Sequence, residues 1–320
     1  MSLQKLTTKK AMLQALEQTL GQNIISLIME HNPSRRKALR NLMLSTMAGT
    51  TLSSFAEEDK NKSTNILKGN INHSACRWCY SEIPLEELCA AGKEMGLKGI
   101  DLVGPKEWPM LQKYGLHSSM CNGAEISLNK GWNTPLYHEQ LIKNYTEMIP
   151  LVAAAGYTNL ICFSGSRKGM DDETGLKNCA DGLKQVLSIA EKHNVVLVME
   201  LLNSKVDHKD YQCDKTAWGV ELCKRTGSNN FKLLYDIYHM QIDEGDVIHT
   251  IRDFNQYIAH YHTGGVPGRH EIDETQELNY PAIMKAILKT GYKGFVAQEF
   301  IPSWPDKLAA LRKGVEICDV

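Results

Sequence analysis

The sequence predicts an α/β protein built as a single closed (βα)8 barrel, preceded by an N-terminal extension. From Asn72 onward, short runs rich in Val, Ile, Leu, Cys and aromatic residues alternate eight times with helix-compatible stretches, the pattern of parallel βαβ units. Several of the helical stretches end on a glycine, as at Ala155-Gly156, Thr226-Gly227 and Thr290-Gly291, where a left-handed residue is needed before the next strand. There is no G-x-G-x-x-G and no P-loop lysine, either of which would favour an open nucleotide-binding sheet.

In chain order the strands are expected at 73–80, 99–103, 117–122, 159–165, 195–202, 232–237, 258–263 and 294–300. Each is followed by a helix or a helix-compatible stretch. The barrel is thus assigned to 72–320, with a linker at 57–71 and the extension at 1–56. Cys76 and Cys79 fall in the first strand as an isolated C-x-x-C. With no second pair downstream, they read as small buried hydrophobes rather than as half of a zinc site.

Composition supports a globular chain: 320 residues, 42% hydrophobic and 23% charged, carry enough apolar material for a large core. Nine cysteines are too few and too scattered for a disulfide framework, and their odd number leaves at least one unpaired. The formal net charge of -1 argues against nucleic acid as a partner, because phosphate neutralisation needs a basic surplus. No segment is long and apolar enough to be expected to span a membrane.

The extension resembles a twin-arginine export signal. Ser34-Arg35-Arg36-Lys37 precedes a weakly apolar, acid-free run from Ala38 to Leu52 and then Ser54-Phe55-Ala56, with small residues where a signal peptidase reads. Export to the periplasm is the expectation; Met29 would be a more ordinary start for such a signal. The competing reading is an amphipathic helical extension, with Met12, Leu13, Leu16, Leu20, Ile24 and Ile28 near helical spacing, and a cytoplasmic chain. Removing 1–56 takes away seven basic and two acidic residues, leaving 29 against 35 and a net charge of -6.

Chemistry is expected at the C-terminal ends of the strands, where the loops of a parallel barrel open onto one face. Four successive strands end on ligand-type residues: Val195-Val196-Leu197-Val198-Met199-Glu200, Leu233-Leu234-Tyr235-Asp236, His260-Tyr261-His262 and Phe295-Val296-Ala297-Gln298-Glu299. Any one could be a buried salt bridge, but four in register suggest a shared counter-ion, since a buried charge is costly without a partner or metal. One divalent cation held by Glu200, Asp236, His262 and Glu299 meets that need. Three carboxylates and an imidazole suit Mn²⁺ or Mg²⁺, with Co²⁺ or Zn²⁺ as further candidates. Asn203, Asp207 and His208 follow Glu200 on a loop that should border the pocket and contact substrate or orient a ligand. Trp78, late in strand one, and Trp108 and Arg167, after strands two and four, could either wall the site or pack.

Two longer stretches carry a family resemblance: Leu233-Leu234-Tyr235-Asp236-Ile237-Tyr238-His239-Met240-Gln241 with Glu244-Gly245-Asp246, and Val266-Pro267-Gly268-Arg269-His270-Glu271 leading to Glu277-Leu278-Asn279-Tyr280. Over roughly 72–303 the chain resembles the xylose isomerase-like barrel superfamily, and within it the group of hydroxypyruvate isomerases and ketose 3-epimerases. The resemblance implies a metal at Glu200, Asp236, His262 and Glu299, proton exchange by the two glutamates, and substrate contacts from His239 and Arg269. His262 stands where hydroxypyruvate isomerases commonly have glutamine and epimerases have histidine, and Gly264-Gly265 replaces the family's Ala-Asp.

The implied reaction moves a carbonyl by one carbon, or inverts the carbon beside it, through an enediolate. Glu200 and Glu299 are the expected proton-transfer pair, acting on a small sugar or hydroxy-keto acid. Hydroxypyruvate isomerisation to tartronate semialdehyde and ketose 3-epimerisation both remain open, as does a noncatalytic sugar-binding barrel and a homo-oligomeric assembly. An endonuclease IV-type enzyme on the same barrel would need more histidine ligands and a basic face, which the charge balance argues against.

Overall fold

The computed structural model describes residues 67–320. The expected export signal, and the linker as far as residue 66, lie outside the described residues. Eight parallel strands close into a barrel in sequence order, β8 pairing back onto β1. They are β1 Asn72–Cys76, β2 Gly99–Val103, β3 His117–Cys121, β4 Asn159–Cys162, β5 Val196–Glu200, β6 Phe231–Asp236, β7 Ile258–Thr263 and β8 Phe295–Gln298.

Helices follow the strands: α1 Leu85–Met95, α2 Trp108–Tyr114, α3 His138–Ala154, α4 Asp172–His193, α5 Thr216–Thr226, α6 Ile237–Asp243, α7 Val247–Phe254, α8 Tyr280–Lys289 and α9 Lys307–Cys318. Their ends are chemically marked. Asp171, Asn279 and Asp306 accept from backbone N–H groups in the first turns of α4, α8 and α9, satisfying donors that a helix start otherwise leaves unpaired. Gly156, Gly227 and Gly291 take the left-handed conformation their positions imply, with φ of 79°, 69° and 83°. Among the described residues, no helix is long and apolar enough to cross a membrane.

Most of the core lies between the strands and the helix layer. A smaller cluster, Met120, Ile161, Val198 and Leu234, fills part of the bore. Several strands stop short of the expected ends. Pairing of β1 with β2 ends at Cys76 opposite Asp101, and Arg77–Tyr80 turns into a 3-10 helix. Cys79 is therefore not in a strand, although both cysteines are buried free thiols, as expected. Likewise β4 ends at Cys162, beyond which Phe163 O and Ser164 O accept from Trp132 N and Asn133 N of a loop, and β5 ends at Glu200.

Candidate metal and active site

Glu200, Asp236, His262 and Glu299 converge at the C-terminal mouth of the barrel. Glu200, Asp236 and His262 lie on β5, β6 and β7, and Glu299 sits one residue past β8, where its N–H still donates to Thr263 O at 2.9 Å. All four are buried, and one ligand atom from each lies within 4.8 Å of the others. His262 Nδ1 is 2.7 Å from Glu299 Oε2 and 3.3 Å from Glu200 Oε1. Asp236 also accepts from His239 N at 3.1 Å, so one carboxylate starts α6 and faces the cup.

The charges here do not balance. Among the described residues, the cationic side chains facing the three carboxylates are those of His262 and Arg269, whose Nη2 lies 2.6 Å from Glu299 Oε2 and 3.4 Å from Asp236 Oδ2. Burial, reinforced by the charge on Glu299, pushes the Glu200 carboxyl up. Burial pushes Asp236 well above the ordinary range, although Arg269 pulls the other way. Glu299 resists burial: the charges of His262 and Arg269 and hydrogen bonds from His262 and Trp78 hold it well below that range. For His262 burial opposes the charged ring, yet Cys76, Glu299 and Asp101 hold it well above its usual value. Glu200 Oε1 is buried without a hydrogen-bond partner. A divalent cation fits this donor set: it supplies the missing positive charge and a partner for the orphaned oxygen.

The other expected residues gather on the same rim. Arg269 is reached by a tight loop after β7, in which Arg269 N donates to Gly265 O and Gly265 N to His270 O. Gly265 is required there, because a Cβ would lie 2.5 Å from Glu271 O. The guanidinium sits 5.2 Å from the Trp78 ring and 5.3 Å from the Tyr238 ring. Asn203 fixes His239. Its Oδ1 accepts from Val206 N and Asp207 N, which orients the amide so that Nδ2 donates to His239 Nδ1 at 2.6 Å. The hydrogen of neutral His239 is then on Nε2, a buried atom with no partner, 3.6 Å from Asp236 Oδ2. Burial, then the Arg269 charge, holds that ring well below its usual value and therefore neutral. His208 packs edge-on against His239 at 5.1 Å, and Asp207 accepts from Tyr238 OH and Asn203 Nδ2.

Trp78 does more than wall the site, donating from Nε1 to Glu299 Oε1 at 2.7 Å. Trp108 and Arg167 do not reach it. Trp108 is buried and donates to Val103 O, and Arg167 pairs with Asp172 and Asp214. Asp101, on β2, escaped the sequence reading. It is fully buried and touches His262 Nε2 at 2.9 Å. A carboxylate in the middle of an otherwise apolar strand was the available signal.

Eight parallel strands closed in sequence order, with carboxylates and an imidazole grouped at one mouth, place the chain among the (βα)8 barrels. A family model described as xylose isomerase-like TIM barrel matches residues 90–318, and the chain belongs to that family. It is 34% identical over 122 residues to the 2-oxo-tetronate isomerase of Cupriavidus necator, covering 38% of this chain and 46% of that one. It is 25% identical over 220 residues to the hydroxypyruvate isomerase of Escherichia coli (strain K12), covering 65% and 84%. Its fold is similar to a crystal structure of D-psicose 3-epimerase with D-tagatose from Clostridium cellulolyticum H10. The TM-score is 0.59 and identity 18%, over 78% of this chain and 94% of that one.

Proposed function

We propose that this chain is a metal-dependent sugar isomerase that moves protons between neighbouring carbons of a small hydroxy-keto substrate. The reading is carried by one observation: the ligand atoms of Glu200, Asp236, His262 and Glu299 lie within 4.8 Å of one another in a buried cup. Those four would hold one divalent cation, Mn²⁺ or Mg²⁺ by the oxygen-rich donor set, with Co²⁺ or Zn²⁺ as further candidates. Bound there, it would act as a Lewis acid that stabilises negative charge developing on substrate oxygens.

The chain's own groups do the rest. Glu200, at the end of β5, and Glu299, just past β8, approach His262 Nδ1 from different sides of the cup, which supports placing a substrate carbon between them. One removes the proton beside the carbonyl and the other returns it. His239 donates its unpartnered Nε2–H to a substrate oxygen, and Asn203 keeps that hydrogen on Nε2. Arg269, flanked by Trp78 and Tyr238, binds a terminal hydroxyl or carboxylate. His208 and Asp207 border this position on the loop after β5.

Hydroxypyruvate, converted to tartronate semialdehyde, is the substrate we put first, in keeping with the relatives named above. His262, where the resemblance expects glutamine in hydroxypyruvate isomerases, favours ketose 3-epimerisation as the second reading. Incubating metal-replete enzyme in D₂O with hydroxypyruvate and a panel of ketoses tests both. Solvent deuterium should enter the carbon beside the carbonyl, and the substrate that takes it up fastest decides between them. No incorporation from any substrate would leave a sugar-binding barrel without turnover.

A further inference from the structure

His262 uses both of its ring nitrogens. Nδ1 faces Glu299 and Glu200 in the cup. Nε2 points the other way, into the bore, 2.9 Å from Asp101 Oδ1. The second oxygen of Asp101 accepts from Ser119 Oγ at 2.6 Å and lies 2.8 Å from His260 Nε2. Cys76 Sγ stands 3.4 Å from Asp101 Oδ1. Asp101 and both histidines are fully buried, so bulk solvent does not reach these contacts.

A carboxylate only accepts, so without a cation both ring nitrogens carry hydrogen, Nδ1 toward Glu299 and Nε2 toward Asp101. An imidazole that ligates a cation has one N–H and one lone pair. A cation in the cup would take the place of the Nδ1 hydrogen, because Glu299 and Glu200 then turn to the ion, while Asp101 keeps its hold on the hydrogen at Nε2. Ser119 matters because its hydroxyl fixes the plane of the carboxylate, and with it the tilt of the ring.

We propose that Asp101 is a positioning residue that keeps the His262 hydrogen on Nε2, so that the cation is bound through Nδ1. Cys76, Asp101 and His262 also form a three-membered group with metal-ligand atoms in reach of one another. That group is a hydrogen-bonded support, not a second cation site, because Nε2 cannot donate to Asp101 and ligate an ion together. The proposal rests on the cation assignment made above.

The full-length chain, labelled with ¹⁵N-histidine and loaded with Zn²⁺ or Mg²⁺, tests it through two-bond ¹⁵N–¹H correlations, with His262→Gln identifying the signal. The expected result is hydrogen on Nε2 and a metal-shifted Nδ1; hydrogen on Nδ1 overturns the proposal. Calorimetric titration with Mn²⁺ should show one ion per chain. Asp101→Leu should bind about 10- to 100-fold more weakly, the usual cost of losing such a partner. Asp101→Asn should fall between, since its amide oxygen can still accept from Nε2. Two ions per chain, or wild-type affinity in a folded Asp101→Leu, overturns it. If Asp101→Leu does not fold, the wild-type tautomer still decides. No cation binding by the wild type would overturn this proposal and the function together, whereas binding with hydrogen on Nδ1 overturns this one alone.

Discussion

Beneath Glu200 and Asp236, the same two strands present Val198 and Leu234, which join Met120 and Ile161 in an apolar cluster. Beneath His262, the same strand presents His260, which faces Asp101, and Asp101 in turn accepts from Ser119 and Cys76. One side of the bore is therefore packed and the other hydrogen-bonded. The apolar side can hold its shape through contact alone, and its residues contribute to stability by burial. On the polar side each group needs a particular partner at a particular distance, because an unpaired buried charge is far costlier than a packed methyl. The packed side should carry stability, and the hydrogen-bonded side the geometry of the site.

Glu299→Gln should break the polar side most severely. It keeps shape but removes a charge that faces His262, Arg269 and Trp78, and kcat/KM should fall about 100- to 10,000-fold, the usual range for a lost acid-base group. Full activity in this variant would remove Glu299 from the mechanism. Leu234→Ala tests the opposite side. It should cost about 2–5 kcal/mol in denaturant unfolding, while kcat/KM falls less than about tenfold, or about 1.4 kcal/mol of transition-state stabilisation. A large activity loss with unchanged stability would erase the distinction between the two sides.

His73 sharpens the comparison, since it is a buried histidine whose ring nitrogens have no hydrogen-bond partner, unlike those of His262. Burial lowers it to about 4, with Asp319 offsetting only part of the effect. Below pH 6.5 the unfolded chain takes a proton here that the folded chain refuses until about pH 4. Stability should thus fall as pH drops across that window, by about 3 kcal/mol in all. His73→Gln should flatten this part of the profile when unfolding is followed at several pH values; an unchanged slope would show that His73 is not its source. The smallest effect is expected from Trp78→Phe. Losing a single, half-exposed hydrogen bond to Glu299 should lower kcat/KM about tenfold, near the lower bound for bonds to charged groups. No change would make Trp78 a cover rather than a partner.

The cup was legible because its signal is local. In β5 and β6 an apolar run ends on a carboxylate, and the (βα)8 pattern alone places such ends on one face. Glycines after helices marked the punctuation for the same reason. Asp101 was not read, because its partner His262 is 161 residues away, and in sequence it is one acid in a short strand. Trp78 met the same obstacle, with Glu299 221 residues distant, and Trp108, equally plausible in sequence, packs away from the site. The first strand stops at Cys76, short of the residue 80 that its apolar pattern implies, because its pairing with β2 ends there, and that depends on a neighbouring strand.

By itself, then, the sequence determined the eight-fold alternation, the barrel and the four residues that ring its mouth, since each follows from periodicity and from charge placed at strand ends. Tertiary structure alone decided which nitrogen of His262 faces the cup, that Asn203 orients His239, and that Arg269 reaches back over Glu299. Those depend on distances between side chains far apart in the chain. Hydrogen bonding is directional and short-ranged, so only the closed barrel, with its register and loops in place, could settle them.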